Sequence, residues 1–431
     1  MRRGLRTAAA ALALTLALAG TAGAAGSGSF SPTGSINPAR TGATATLLGD
    51  GRILVAGGST GIGAFVTTAE TFNPTTNSFT PTGGLATARG FGGSASLPGG
   101  RALVVGGADG LFSQTDTAEI FDPATNGFTP ADSMATERSG AAVAPLPGGR
   151  VLVAGGFTGG LGGMNLTSAE VYDAGTNTFS PLGASLTGPR SSGVAVQLSD
   201  GRVLIAGGYD GSNYLATAEI YDPAANTFSP TGTMSTPRFG VAGGRLPDGR
   251  ILIAGGYNGT NDVNTAEVFD PATGTFSSVG IGSLGVARGA PAGAALADGR
   301  VLIAGGESGP SALLNSAEIF AATNTFSFKV KGKKLIVTVQ ATGKVEVAQA
   351  SGGGKASAAK KGKRKKLLKA ASASGGPGQI TVRLKLTKVA ASTLKASGKV
   401  KPRAKITFTP EGGLANSRTA RLKIKAKPKK N

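Results

Sequence analysis

An octapeptide of the form Gly-Arg-x-Leu-x-x-Gly-Gly returns six times in this chain, and no other feature limits its fold so tightly. The closing glycines are Gly58, Gly107, Gly156, Gly208, Gly256 and Gly306, spaced by 49, 49, 52, 48 and 50 residues. A period of that size means one supersecondary unit copied along the chain, each copy unable to bury its apolar face alone. Behind each double glycine comes a segment of variable sequence, then a block such as Thr-Ala-Glu-Ile-Tyr-Asp-Pro (217–223). Asn-Thr-Phe-Ser-Pro-Thr-Gly (226–232) follows, then an arginine.

Each unit carries four strand signals. The residues after the arginine are extended and small, as in 42–48, and the octapeptide holds a short continuous apolar run of the kind buried on both faces. Asp-Gly or Gly-Gly separates these two runs in every copy, a strong signal for a tight hairpin. The Glu-containing block ends in a Pro-containing turn before a Phe-bearing strand. Four short antiparallel strands at even spacing make one propeller blade, and small residues on the first strand suit the crowded axis.

These blocks resemble the kelch motif: a double glycine after an apolar strand, a Glu-aromatic-Asp segment, an aromatic and an arginine. The resemblance covers residues 30–327, with Phe79, Phe128, Phe179, Phe228 and Phe276 where that family usually has Trp. It implies an all-β, six-bladed kelch-type propeller resembling the central domain of galactose oxidase. The first three strand signals occur six times but the Phe strand seven times, because 30–34 duplicates 228–232. The N-terminal copy is therefore expected to complete the sixth blade and remove an exposed edge; the competing closure uses the segment around Phe326.

Charge divides the chain. Residues 25–327 hold 13 Arg, no Lys and 21 acidic groups, a net −8, whereas 328–431 hold 28 basic residues against Glu346 and Glu411, a net +26. Two domains with separate jobs are expected, 25–327 and 328–431. The second alternates apolar and Lys residues in 328–340, 379–387, 405–409 and 418–426, with a helical stretch near 389–397. It reads as a small lysine-rich β-sandwich-like domain of immunoglobulin-like type. An insert at 351–366 is too poor in apolar residues to order itself. Its basic run, Lys360, Lys361, Lys363, Arg364, Lys365 and Lys366, suits an anionic envelope polymer or membrane surface. Lys predominance and scarce aromatics argue against nucleic acid.

The N-terminus places Arg2, Arg3 and Arg6 before an apolar stretch at 8–19 and small residues to Ala24, the order of a secretory signal. Residues 1–24 are expected to be removed and the product to be extracellular, with envelope association through its basic domain, and monomeric. The chain contains no Cys, His or Trp. A Ser-His-Asp or Cys-His relay and a zinc site of imidazole and thiolate are thereby excluded. Galactose oxidase resemblance implies copper-radical chemistry, but that family's His and Cys-linked Tyr have no counterpart here. No cofactor, metal site or catalytic residue is therefore assigned.

Loops joining strands two to three and four to one leave an up-and-down blade on the same face. That face is the expected binding surface for a protein or glycan, since loops on a rigid scaffold carry function. Tyr209, Asp210, Asn213 and Tyr214 in one blade, with Tyr257, Asn258, Asn261 and Asp262 in the next, form its richest polar and aromatic cluster. Arg89, Arg138, Arg190, Arg238 and Arg288 share that face as candidate ligand contacts, although one arginine and one glutamate per blade also fits scaffold pairing. The alternatives are a carboxylate-driven glycosidase or lyase, which needs two acidic groups converging on this face with separated pKa values, and a purely structural surface protein.

Overall fold

The apolar run of each repeat becomes a strand with nearly every residue inaccessible: Ile53–Ala56, Ala102–Val105, Arg150–Ala154, Val203–Ala206, Ile251–Ala254 and Val301–Ala304. Each buried Val, Leu or Ile contributes roughly 1.5–3 kcal/mol. The computed structural model describes residues 28–309, 312–322, 326–339, 343–350, 367–375, 378–410 and 416–426. Among them, each such strand sits second in one of six four-stranded antiparallel sheets. The first strands are Thr44–Leu47, Gly93–Ser96, Ala142–Leu146, Val194–Gln197, Ala242–Arg245 and Ala292–Ala295. They neighbour one another in a closed cycle, so the six sheets are blades around one axis. Small side chains let them converge there: a Cβ on Gly93 would lie 2.1 Å from Val143 of the next blade.

The sixth blade takes its outer strand from the opposite end of the domain. Gly28–Ser35 pairs antiparallel with Ser316–Ala322, placing Phe30 opposite Phe320. Their rings lie 5.0 Å apart and tilted, matching the Phe72–Phe79, Phe121–Phe128, Tyr172–Phe179, Tyr221–Phe228 and Phe269–Phe276 pairs at 4.7–5.0 Å. Such pairs add about 0.5–1.5 kcal/mol each beyond area burial.

Phe326 belongs elsewhere. It enters the core of the second domain with Leu335, Val337, Val345, Val382, Ile406 and Phe408, so that domain starts at or before Phe326 and not at 328. Strands Phe326–Lys331, Lys334–Val339 and Gly378–Arg383 form one sheet. A second sheet joins Ala371–Gly375, Gly343–Gln349, Arg403–Pro410 and Asn416–Arg421. Both sheets contribute to that single core, and a helix spans Lys388–Ser397 with the Thr387 hydroxyl accepting from the Ala390 N–H as its N-cap. The leader at 1–24 and the insert at 351–366, with Lys360, Lys361, Lys363, Arg364, Lys365 and Lys366, lie outside the described residues.

Candidate functional site

The repeat arginines organise the loop face from beneath it. Arg238 Nη1 donates to the carbonyls of Gly255 (2.8 Å) and Thr265 (2.9 Å), and its Nη2 to Thr265 Oγ1 (2.9 Å) and Glu267 Oε1 (3.3 Å). The Glu267 carboxylate also accepts the backbone N–H groups of Ser235 (2.8 Å) and Thr236 (3.3 Å). One motif thus ties the linker entering a blade to that blade's second and third strands. The pair recurs as Arg40–Glu70, Arg89–Glu119, Arg138–Glu170, Arg190–Glu219 and Arg288–Glu318. Burial pulls the guanidinium pKa of Arg40, Arg89, Arg138 and Arg238 down, and the facing glutamate opposes it. All six arginines are between 0 and 4 % exposed. Arg89, Arg138, Arg190, Arg238 and Arg288 are therefore not ligand contacts, because their guanidinium groups are spent inside the scaffold.

Immediately beyond these arginines the backbone closes a ring. The N–H of Phe91 donates to the carbonyl of Gly42 (2.7 Å), Gly140 to Phe91 (2.7 Å) and Ser192 to Gly140 (2.6 Å). Gly240 donates to Ser192 (2.8 Å), Ala290 to Gly240 (2.9 Å) and Gly42 to Ala290 (2.9 Å). All six ring residues hold positive φ, from 44° at Ala290 to 63° at Gly42. Glycine alternates with a side chain because neighbours collide: a Cβ on Gly140 would sit 2.6 Å from Ser192 Oγ, and one on Gly42 2.8 Å from the Phe91 ring. Three non-glycine residues in the left-handed region are costly, and such strain concentrates at functional sites.

Above the ring, the residue after each double glycine bridges the residue after the arginine that enters the same blade. Ser139 pairs with Phe157, Ser191 with Tyr209, Phe239 with Tyr257, and Gly289 with Glu307. These two tiers and the loops above them enclose a cavity of about 1140 Å³, lined by Phe91, Ser139, Phe157, Asn165, Ser191, Ser192, Tyr209, Tyr214, Phe239, Tyr257, Asn261, Asp262, Ala290 and Glu307, among others. Tyr214 is wedged between Tyr209 (5.1 Å between centroids), Phe239 (6.1 Å) and Tyr257 (5.3 Å).

The Kelch motif matches residues 138–184, 190–235 and 245–281. Three of the six repeats thus match the Kelch motif. Two solved structures share the kelch propeller's fold, each at 15 % identity. A fungal alcohol oxidase of the AA5 family, in complex with copper, is similar with a TM-score of 0.52 over 92 % of this chain and 99 % of its own. YjhT is similar with a TM-score of 0.56 over 71 % of this chain and 99 % of its own. No curated protein matches this chain. Copper does not fit here: the sequence has no His or Cys, and among the described residues no three His, Cys, Asp or Glu side chains gather as a metal-holding group.

On the kelch face, Tyr209, Tyr214, Tyr257, Asn261 and Asp262 come together in the cavity. Asp210, Asn213 and Asn258 do not line it. Asp210 accepts from the N–H groups of Ser212 (2.7 Å) and Asn213 (2.6 Å), which holds its pKa below the ordinary aspartate value. Asn213 Nδ2 donates to the same carboxylate, and Asn258 accepts from Thr260 and Asn261, so these polar groups shape their own turns. Sequence reasoning missed Phe91, Phe157, Phe239, Ser192 and Glu307. Their signal was positional: each lies one or two residues after an invariant arginine or double glycine, where the repeats differ most.

Asp262 and Glu307 approach each other beside Gly289, whose added Cβ would meet Asp262 Oδ1 at 2.2 Å and Glu307 Cγ at 3.3 Å. Burial, then the Asp262 charge, raise the Glu307 pKa. The folded state thus holds that proton more tightly than the unfolded chain. The contribution is present below the ordinary glutamate pKa and is lost as pH rises through the raised value. Glu307→Gln is therefore expected to stabilise the free protein at neutral pH by up to about 1 kcal/mol and to gain nothing in acid. Thermal melts across this pH range check it; an equal shift at every pH contradicts it.

Proposed function

We propose that this chain is a non-enzymatic binding protein, exported and held at the cell envelope, whose kelch propeller takes a glycan at the loop-face cavity. The observation carrying this reading is the cluster of Tyr209, Tyr214, Phe239 and Tyr257 at an open cavity that Ser, Asn, Asp and Glu side chains also line. Aromatic rings present flat apolar faces to sugar C–H groups, and the tyrosine hydroxyls and surrounding Ser and Asn side chains exchange hydrogen bonds with sugar hydroxyls. Envelope retention would come from the +26 charge of the second domain. That attraction fades within about 8 Å in physiological salt, so a high-salt wash should release the protein from cells.

The Tyr214→Ala, Tyr257→Ala double variant is expected to weaken glycan binding by about thirtyfold or more, while a cooperative melting transition, lowered by the lost ring contacts, shows that the propeller stays folded. Calorimetry with a ligand drawn from a glycan array measures this; undiminished binding would place the site elsewhere. A second reading, carboxylate-driven glycoside cleavage, is favoured by one observation: Asp262 and Glu307 converge in the cavity and Glu307 holds its proton above the usual range. Released reducing sugar that disappears in Glu307→Gln would establish it, whereas stoichiometric binding without turnover supports the binding protein.

A further inference from the structure

The cavity is one-sided in its chemistry. Among the described residues no Lys or Arg lines it, whereas Asp262 and Glu307 both do. Asp262 Oδ2 is engaged by the Gly309 N–H at 2.7 Å. Among the described residues no hydrogen bond offsets the burial of the Glu307 carboxylate; burial and the Asp262 charge act on it. Asn165, also in the wall, has a shielded Oδ1 that accepts no hydrogen bond among the described residues. Beside these acceptors stand Tyr209, Tyr214 and Tyr257, whose ring faces attract cations. The wall therefore combines two neighbouring carboxylates with aromatic faces, and among the described residues it lacks a cation of its own.

We infer that the ligand of this cavity carries a protonated amine, seated between Asp262 and Glu307 against the tyrosine rings. Resting on the glycan reading above, the ligand class is an amino sugar whose amino groups are free and not acetylated. An ammonium satisfies both carboxylates at once, and the sugar body fills the space over the rings. The second domain, with its lysine excess, repels such a ligand, so binding to the full chain reports the propeller.

Calorimetry of the full chain with glucosamine oligomers and with their N-acetylated counterparts tests the inference. The free-amine oligomer is expected to bind at least about tenfold tighter, the scale of one charge-assisted hydrogen bond. Asp262→Asn with Glu307→Gln is expected to erase that preference, with a single cooperative melting transition retained to show that the fold persists. Equal or tighter binding of the acetylated oligomer overturns the amine assignment and leaves the glycan reading standing. Binding of an oligolysine peptide in place of both sugars, or of neither sugar, overturns the inference together with that reading.

Discussion

Glu267→Leu is expected to cost the propeller about 3–5 kcal/mol. The change leaves Arg238, 0 % exposed, charged and without its carboxylate, and strips the acceptor from the N–H groups of Ser235 and Thr236. The pair itself is not strongly stabilising, because burying two ions costs nearly what their attraction returns; the lowered Arg238 pKa shows desolvation outweighing its partner. The double change Arg238→Met, Glu267→Leu should therefore recover much of the loss, despite the two freed N–H groups. Urea unfolding of wild type, single and double variants decides. A single-variant cost below about 1 kcal/mol would mean that water reaches this pair.

Gly155→Ala is expected to cost at least about 3 kcal/mol. Its φ is +66°, and an added Cβ would stand 2.2 Å from the Arg190 carbonyl oxygen, 3.0 Å from Leu186 Cδ1 and 3.3 Å from the Leu166 carbonyl. Two of those obstacles are backbone, so relief requires one blade to move from the next. Gly148 supplies the control: its φ is +82°, but nothing lies within 4 Å of its hypothetical Cβ. Gly148→Ala should cost only about 1–2 kcal/mol. Equal losses at both positions would reduce the double glycine to a matter of φ alone and remove the argument from close approach.

The scaffold was legible because repetition averages away local ambiguity. A single Gly-Arg-x-Leu-x-x-Gly-Gly block is an ordinary apolar run; six at one spacing fix the strand order, and the surplus Phe30 copy pointed to the strand that pairs with Ser316–Ala322. The cavity was only partly legible. Tyr209, Tyr214 and Tyr257 stood out as aromatics in variable loops. Phe91 and Glu307 did not, because Phe91 matters through a ring of contacts between blades and Glu307 through its approach to Asp262 of the preceding blade. Sequence periodicity describes what each unit shares, and this cavity is built from what the units do not share. The arginines were legible in two ways: loop-face placement suggested access, while one Arg and one Glu per blade suggested pairing, and the Glu on the third strand of the blade that each linker enters draws every one of them inward.

The pairing of Gly28–Ser35 with Ser316–Ala322 has a mechanical side. Gly28 lies opposite Ala322, so the chain enters and leaves this strand pair at the same end. Tension between anything attached before residue 28 and the domain beginning near Phe326 would open the ladder one rung at a time, as a zipper, without shearing all its bonds together. A protein strung between two attachment points would thus yield first at its sixth blade and at low force, leaving the other five blades still wound. Under load, the seam is a built-in weak link that spares the tyrosine mouth's neighbours until last.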